Sequence, residues 1–371
     1  MIRNLTRGLR PAAALLATAA VGVALLAAPA NAATTPGWET LPQPRDKKTS
    51  LLIPFDSQSA LARTTDAFCG MGGCWSQHEL WQKNGTAWNK LPAAPANASL
   101  DILTATAPDD LWAIGFKGVP GEEWRVNHFD GTTWSANLNP DTQNLEIVAA
   151  KAVSRTSLWG VGDTRIGDAS GFSHPTVTHW DGTHWNTTTF SAMEGGLGAL
   201  EVKAENDIWA TGGRSTSSGG RGALVLHFDG TQWTEVPVPA SVTSASVGQI
   251  ISTGPNDVWA AVAESGPGAH IIHWDGKNWT HRNTPGAPGT DSGYVHGFAY
   301  YNGQLYAGLD FSQRQRLVRW TGSGWEGVTG LNKSISEVIG LTSTADGSLY
   351  LTGSGAAFDY YLQRLAPPAA N

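Results

Sequence analysis

Short runs of alternating apolar and polar residues, each ending at a tight-turn signal, follow one another along most of the chain. Alternation of this kind is typical of β-strands. The most regular run ends in a seven-residue phrase with Asp-Gly at its centre, and that pair favours a two-residue turn with positive φ angles. The phrase occurs as HFDGTTW (128–134), HWDGTHW (179–185), HFDGTQW (227–233), HWDGKNW (273–279) and, degraded, RWTGSGW (319–325). It predicts a hairpin that repeats along the chain.

A second phrase precedes each closing tryptophan by about 25 residues and consists of a polar turn followed by apolar alternation. Its copies are DDLWAIG (109–115), TSLWGVG (156–162), NDIWATG (206–212), NDVWAAV (256–262), GQLYAGL (303–309) and GSLYLTG (347–353). The two phrases together predict four short strands in each unit. Since the closing tryptophans recur every 46 to 51 residues, we expect one propeller blade in each period.

The repeated aromatic residues give the number of blades. We place seven on second strands: Trp75, Trp112, Trp159, Trp209, Trp259, Tyr306 and Tyr350. Seven more belong to fourth strands: Trp38, Trp88, Trp134, Trp185, Trp233, Trp279 and Trp325. The two sets are displaced by one unit, so the N-terminal strand at Trp38 is predicted to complete the last blade, which ends near Leu365. We therefore predict an all-β, seven-bladed propeller of four-stranded antiparallel blades. Six blades, without a unit at Trp75, is the alternative.

The repeat resembles the kelch and galactose-oxidase type of propeller blade. The resemblance rests on an apolar second strand ending in glycine (NDIWATGG, 206–213), an aromatic before a turn (Phe228), and a tryptophan followed by an apolar-proline run (WTEVPVP, 233–239). The DGTxW ending is similar to the Asp-box of sialidase-like propellers. The resemblance covers nearly all of the chain after residue 32 and implies a fold rather than an activity.

Residues 1–32 have the pattern of a secretion signal peptide. Arg3, Arg7 and Arg10 precede an Ala/Leu/Val run, and Ala30-Asn31-Ala32 supplies small residues for cleavage. A transmembrane anchor is the alternative, but the apolar run is short and no stop-transfer charges follow it. We expect a secreted, extracellular protein in which residues 33–371 form a single propeller domain.

The charge balance restricts the partners. Without the three arginines of the signal, 21 Lys and Arg residues face 31 Asp and Glu residues, a net charge of −10. Nucleic acids and anionic membranes favour clustered Lys and Arg, so neither a nucleic-acid partner nor membrane insertion is predicted. The expected partner is a glycan or an extracellular protein, and the protein is expected to be a monomer.

Cys69 and Cys74 are the only cysteines, and in an exported chain an even number indicates a disulfide. We predict that the bridge pins the turn between the first and second strands of the first blade. A redox or metal role is the alternative. Zinc would need further ligands, and none stands nearby in the sequence.

The repeated histidines and tryptophans are predicted to be structural. His128, His179, His227 and His273 occupy equivalent third strands, which a propeller keeps roughly 15 Å apart, so they cannot share one metal ion with bonds of about 2.3 Å. We expect these histidines to brace the Asp-Gly turns and the tryptophans to pack between blades. No metal site and no cofactor is predicted.

Function is therefore expected where the repeat is broken. Connections from second to third strands, and from fourth strands to the next blade, are long and variable and emerge on one face, where rigid scaffolds commonly carry binding groups. Ten residues before the second-strand aromatic, His296 stands where other blades have Gln249, Ala199, Ala149 and Gly340. The candidate ligand-binding residues are Trp124, Asp163, Arg165, Tyr294, His296, Asp310 and Arg314.

Three functions agree with this pattern. The first is a non-catalytic binding propeller that recognises a glycan or a protein through the variable face, since aromatic and Arg side chains dominate recognition surfaces. The second is an extracellular carbohydrate-active hydrolase or lyase with its site at the mouth of the axial channel. The third is an inert or assembly-forming surface propeller. No residue is predicted to be catalytic, because no spacing forces two carboxylates together.

Overall fold

The structure is a computed structural model that describes residues 37–44, 48–70, 73–95, 98–116, 124–135, 138–140, 144–164, 173–215, 221–242, 246–264, 268–284, 292–310, 316–355 and 359–367. The side chains of residues 67–76, 116, 221, 240 and 292 are not part of this description. Seven antiparallel sheets form the blades of a propeller, and each sheet is built from four strands in meander order. The predicted seven-bladed architecture is confirmed. None of the described helices has the length and apolar character needed to cross a membrane.

Each blade begins with an innermost strand and ends with an outermost one. The first strands are β2 (Thr49–Pro54), β6 (Ile102–Ala107), β10 (Leu145–Ser154), β14 (Gly195–Ala204), β18 (Ser246–Gly254), β23 (Val295–Tyr301) and β27 (Glu337–Ser343). The second strands are β3 (Ser59–Gly70), β7 (Asp110–Phe116), β11 (Ser157–Thr164), β15 (Asp207–Ser215), β19 (Asp257–Ala263), β24 (Gln304–Leu309) and β28 (Leu349–Ser354).

The fourth strand is the shortest in every blade. The third strands are β4 (Gly73–Asn84), β8 (Trp124–Phe129), β12 (His174–Trp180), β16 (Arg221–Phe228), β20 (Gly268–Trp274), β25 (Leu317–Trp320) and β29 (Tyr360–Leu365). The fourth strands are β5 (Ala87–Lys90), β9 (Trp134–Ser135), β13 (Trp185–Thr189), β17 (Trp233–Glu235), β21 (Trp279–His281), β26 (Trp325–Gly327) and β1 (Trp38–Thr40). A two-residue strand, β22 (Ser292–Gly293), adds to β20 in parallel.

The N-terminal strand closes the ring. β1 pairs antiparallel with β29, and Trp38 lies opposite Leu365 in the register. β1 is therefore the fourth strand of the seventh blade, as the displaced tryptophans predicted.

The first blade departs from the sequence prediction. Trp75 lies on β4, a third strand, and the second-strand position that is aromatic elsewhere is Leu61 on β3. The backbone of Cys69 pairs with that of Cys74 across the β3–β4 hairpin. The cysteines therefore flank a connection between the second and third strands, not the one between the first and second. The disulfide itself involves side chains outside the described set and stays a prediction.

Aromatic and aliphatic side chains fill the seams between blades. The seam between the fourth and fifth blades is typical: the buried Trp209 packs edge-on against Trp279 with ring centroids 6.4 Å apart, and Trp274 lies beside them. Burying such rings supplies most of the stabilisation of a fold that has no single central core.

In the Asp-Gly turns only the glycine has the positive φ angle that was predicted for both residues. Gly131 has φ +98 and, among the described residues, only Asn144 and Asn302 have positive φ without being glycine. Asp130 therefore stands before the turn and caps it, because its Oδ1 accepts hydrogen bonds from the backbone N–H groups of Thr132 and Thr133, both at 2.8 Å. Equivalent carboxylate caps are made by Asp181, Asp229 and Asp275.

Candidate functional site

The two faces of the propeller carry different connections between strands. We call the face with the first-to-second and third-to-fourth connections the turn face, and the opposite one the loop face. On the turn face each repeated histidine stacks on the second-strand tryptophan of its own blade, as His128 does on Trp112 with centroids 4.2 Å apart.

These histidines do not brace their own Asp-Gly turns, as the sequence analysis expected. His128 Nε2 lies 2.6 Å from Oδ1 of Asp110, which is fully buried at the start of the second strand. His227 and His273 bind Asp207 and Asp257 in the same way. The histidines therefore tie the third strand to the first turn, and their role is structural.

A β-bulge marks the first strands near the loop face and sets which residue is extruded there. The register shifts at Ser50, Val148, Gly198, Gly248–Gln249, His296 and Ile339. Bulges leave one residue out of the ladder and redirect its side chain. Each of these residues lies three positions before the partner of the second-strand aromatic position, and by that count the second blade contributes Asp101.

His296 is thus an extruded first-strand residue, but the ten-residue count matched it with the wrong neighbours. A second bulge, for example at Val153, lengthens the first strand in the second to fifth blades, and the longer turn between Ser343 and Leu349 displaces the count equally in the seventh. The equivalents of His296 are therefore Val148, Gly198, Gly248 and Ile339 rather than the residues counted from sequence. A Cβ at Gly198 would have nothing within 4 Å, which leaves open space on that side.

His296 contacts the next blade. Its Nε2 lies 3.3 Å from Oε1 of Glu337, and Ser354 Oγ donates to the other carboxylate oxygen of Glu337 at 3.0 Å. Histidine and serine thus both bind the glutamate, and no hydrogen bond between His296 and Ser354 occurs among the described residues. A catalytic serine would instead be hydrogen-bonded to the histidine that acts as its base.

Tyr294 and Asp310 lie together beside His296. Tyr294 N–H donates to Oδ2 of the buried Asp310 at 3.3 Å, and Asp310 N–H donates to the Tyr294 carbonyl at 3.2 Å. Tyr294 is 52% exposed. Burial lowers the pKa of neighbouring Arg316, although the Asp310 charge opposes that shift. The sixth blade therefore brings three of the predicted residues to one place.

The other predicted residues are separate. Trp124 is half-buried at the start of β8 and packs against the core of the second and third blades. Asp163 lies near the end of β11 across from Gly196, where an added Cβ would stand 3.0 Å from Asp163 Oδ2. Arg165 and Arg314 are outside the described residues. Within the described part of the chain, no group of three His, Cys, Asp or Glu side chains could hold a metal ion.

The sequence analysis missed a cleft at the first blade. β3 and β4 are each 12 residues long, whereas β2 and β5 pair only with their turn-face halves. The cleft, of about 400 Å³, lies between β4 and the connection that leads to the second blade. Gln77, His78 and Glu79 form one wall, and residues 90–95 and 98–101 form the other. The long β3–β4 hairpin could have indicated this cleft, but the sequence analysis placed Trp75 on the second strand and so did not recognise the hairpin.

Polar contacts tie this cleft to the inner strands. Arg63 donates from Nε to Ser50 Oγ at 3.1 Å and from Nη1 to the carbonyls of Asp101 and Leu100. Thr65 Oγ1 lies 3.0 Å from His78 Nδ1. Burial, with a further contribution from Arg63, lowers the pKa of His78, so its imidazole is neutral at pH 7. Glu79 binds Lys90 at 2.6 Å. The wall therefore offers mostly neutral hydrogen-bonding groups.

The chain is a seven-bladed β-propeller with variable connections gathered on one face. No protein-family model matches it, and no curated protein matches it in sequence. Solved structures are similar in fold. YCF48 from Cyanidioschyzon merolae has 14% identity and a TM-score of 0.58, with 90% of this chain and 100% of that chain covered.

Two further structures bear on possible roles. YCF48 bound to D1 peptide has 14% identity and a TM-score of 0.55 over 89% of this chain and 97% of that one. The GH74 xyloglucanase from Xanthomonas campestris has 13% identity and a TM-score of 0.53, with 88% of this chain matched to 53% of the enzyme. At these identities the similarity shows the fold alone.

Proposed function

We propose that this propeller is a secreted, non-catalytic binding module that recognises an extended polypeptide of a partner protein on its loop face. The observation that carries the proposal is the unpaired edge of β4 beside the cleft of the first blade. The predicted signal peptide supports a location outside the cell. The net negative charge of the chain disfavours polyanionic partners.

The edge of β4 has the hydrogen-bonding pattern of a strand acceptor. Leu91 N–H donates to the Leu80 carbonyl at 2.9 Å, so Leu80 presents its backbone towards β5 and the cleft. Backbone groups alternate in direction along a strand, and His78 therefore presents its N–H and C=O to the same side. Neither group has a backbone partner within the described part of the chain. An extended peptide can pair with such an edge.

The opposite wall of the cleft leaves this edge uncovered. After Leu91 the chain continues as Pro92-Ala93-Ala94-Pro95, and proline has no N–H with which to extend the ladder. Leu80, Leu91 and Leu100 contribute apolar surface beside the exposed backbone. A peptide in the cleft would therefore gain both main-chain hydrogen bonds and a site for an apolar side chain. YCF48, whose fold is similar over nearly its whole length, has been solved with a bound peptide.

Peptide selection tests the proposal. A random-peptide library is panned against the full chain, and the affinity of selected peptides is measured by titration calorimetry. Each peptide is then remade with N-methyl groups on alternate backbone nitrogens. Strand pairing predicts that one alternate set abolishes binding and the other is tolerated, because only every second residue faces β4.

A shortened hairpin supplies the protein-side variant. Thr64 lies opposite Glu79 in the register, and this pair is hydrogen-bonded by the alternation along the ladder, so replacing residues 65–78 by Asn-Gly removes the free edge and joins the two strands through a two-residue turn. This variant is expected to lose most peptide affinity while keeping its thermal transition. Equal affinity of the shortened variant, or tolerance of both N-methylated sets, would contradict the proposal.

A hydrolase at the channel mouth is the second candidate, favoured by the pairing of His296 with Glu337. The xyloglucanase neighbour contains a propeller of similar fold. The two candidates separate in one comparison: the double variant His296→Ala with Asp310→Asn would remove glycan hydrolysis, whereas it leaves peptide binding at the first blade unchanged.

A further inference from the structure

The seam between the third and fourth blades differs from the other described seams at one position of the fourth strand. In six blades, the residue three or four positions after the closing tryptophan of the fourth strand donates its backbone N–H to the third strand and packs into the seam with the next blade. These residues are Leu41, Leu91, Leu138, Val236, Arg282 and Val328. The five aliphatic ones join the hydrophobic clusters, and Arg282 lies 5.6 Å from the ring centroid of Trp320. In the third blade this position is the exposed Thr188, opposite Val177 in the register, and the side chain that packs in the seam is instead Phe190, which follows the longer fourth strand and donates its N–H to Pro175.

A second substitution enlarges the gap. The last residue before the Asp-Gly turn is Trp274 in the fifth blade and Trp320 in the sixth, and each packs against the tryptophan of the preceding blade. The fourth blade has the smaller Phe228 at that position. With Thr188 in the seam as well, a cleft of about 380 Å³ remains between the two blades.

One hydrogen-bond donor on the cleft has lost its usual acceptor. Trp88, Trp134 and Trp185 donate their indole N–H to a backbone carbonyl of the preceding blade, at 3.1, 3.3 and 2.7 Å. Trp233 borders the cleft and makes no such bond within the described part of the chain. Trp279 also lacks an acceptor, but its nitrogen is buried in a filled seam. The Trp233 N–H is thus available to a ligand.

The remaining walls combine aromatic rings with neutral polar groups. Trp159, Phe228 and Trp233 pack together with ring centroids 5.3 to 6.3 Å apart. Asn186, Thr188 and Gln232 supply amide and hydroxyl groups. Asn186 Nδ2 donates to Asp181 at 3.1 Å, which fixes the amide and leaves Oδ1 as an acceptor.

Charge is absent from this lining. No Lys, Arg, Asp or Glu side chain lines the cleft as described. Burial lowers the pKa of His179, the one titratable group there, despite the opposing charges of Glu205 and Asp181. A sugar ring has apolar C–H faces that pack on aromatic rings and hydroxyl groups that bind amides and indole N–H groups, and small-molecule sites combine these two kinds of contact.

We propose that the cleft between the third and fourth blades binds a neutral saccharide unit. Trp159, Phe228 and Trp233 form the apolar wall, and Asn186, Thr188 and Gln232 bind the hydroxyl groups. This cleft and the edge of β4 proposed to bind a peptide lie on different blades, so the two proposals are independent and can be tested separately.

Saturation-transfer NMR with the full chain tests the assignment. The probes are neutral methyl glycosides of glucose, galactose, mannose, xylose and N-acetylglucosamine, with cellobiose, maltose and lactose, and with glucuronate and glucosamine as charged comparators. Quenching of tryptophan fluorescence gives the affinity. We expect at least one neutral probe to bind and to quench Trp233, so that Trp233→Phe loses the signal.

The decisive variant is Thr188→Leu, which places in this seam the residue that three other blades carry. It is expected to fold with an unchanged or higher thermal midpoint and to weaken saccharide binding by roughly tenfold or more, since the space is filled. Gln232→Ala should also weaken binding, whereas Asn278→Ala, the matched turn residue in the filled next seam, should not. Failure of every neutral probe to bind, full binding by T188L, or preference for the charged comparators would overturn the proposal.

Discussion

Trp38 lies opposite Leu365 in the β1–β29 pairing, so the first described strand completes the last blade. A variant that begins at Gln43 lacks β1 and exposes the edge of β29. We expect it to lose about 2–5 kcal/mol of unfolding free energy and to self-associate, because the seam loses Trp38 and Leu41 and an unpaired edge remains. Urea denaturation and light scattering measure both effects against a variant that begins at Gly37. Equal stability of the two would contradict ring closure by β1.

The buried Asp110 links two strands of the second blade. Asp110→Ala leaves the His128 ring without its acceptor and also removes the hydrogen bond from Thr106. The expected cost is about 1–3 kcal/mol, typical of a buried polar group that loses its partner. Thermal unfolding compares this variant with His184→Ala, an exposed histidine whose loss should cost less than about 0.5 kcal/mol.

The capped turns predict a loss of stability in acid. Hydrogen bonds from the Thr231 hydroxyl, and then from the N–H groups of Gln232 and Thr231, lower the pKa of Asp229 to about 2. Because the folded pKa lies below the unfolded one, this stabilisation is complete above about pH 4 and is lost as the pH falls towards 2. Asp130, Asp181 and Asp275 shift in the same direction.

Asp229→Asn separates this effect from general acid denaturation. Asparagine keeps an acceptor oxygen but does not titrate, so the thermal midpoint of the variant should depend less steeply on pH between 4 and 2. Parallel pH profiles for the variant and the unmodified chain would show that the cap does not contribute.

The cysteine pair predicts a cross-strand disulfide. Gln77 and Asp66 form one of the hydrogen-bonded pairs of the β3–β4 hairpin, and the alternation places Cys69 and Cys74 in a non-hydrogen-bonded pair. Such pairs have Cα atoms about 4.5 Å apart, within the range that a disulfide spans. Alkylation before and after reduction of protein expressed into an oxidising compartment, followed by mass spectrometry, should show two blocked thiols that reduction releases. Two free thiols in protein from that compartment would contradict the prediction.

His296 gives a prediction that distinguishes the channel mouth from the first blade. His296→Ala removes the contact with Glu337 but no backbone pairing, since His296 is extruded from the ladder. We expect little change in thermal stability and no change in the affinity of peptides selected against the first blade. A loss of peptide affinity would place the peptide at the channel mouth instead.

The repeated phrases predicted the fold because each carries its own structural cause. The Asp-Gly turn, the stacked histidine and the closing tryptophan recur at fixed separations. The C-terminal blade has no closing tryptophan of its own, whereas Trp38 stands before the first blade, and this displacement predicted closure by Trp38. The first blade was misassigned because Leu61 replaces the aromatic residue, and Trp75 stood at a plausible distance on the wrong strand.

The candidate sites were harder to predict for physical reasons. Counting residues does not reveal a second bulge such as that at Val153, so the equivalents of His296 were displaced by one. The cleft beside Thr188 exists because the side chain there is smaller than its equivalents in the other seams. That difference depends on which residues of neighbouring blades face each other, and the sequence does not show this. Asp163 and Tyr294 both lie on the loop face but belong to different blades. The sequence pattern does not give the distance between side chains on different blades.

The extruded residues of the first strands have a consequence for how such a ring diversifies. Ser50, Val148, Gly198, His296 and Ile339 are five different residues at one structural position. The ladder on either side continues whichever side chain is present. Mutation at these points can therefore change the inner rim one residue at a time without disturbing the packing between blades. New ligand contacts can evolve on the rim at little cost in stability.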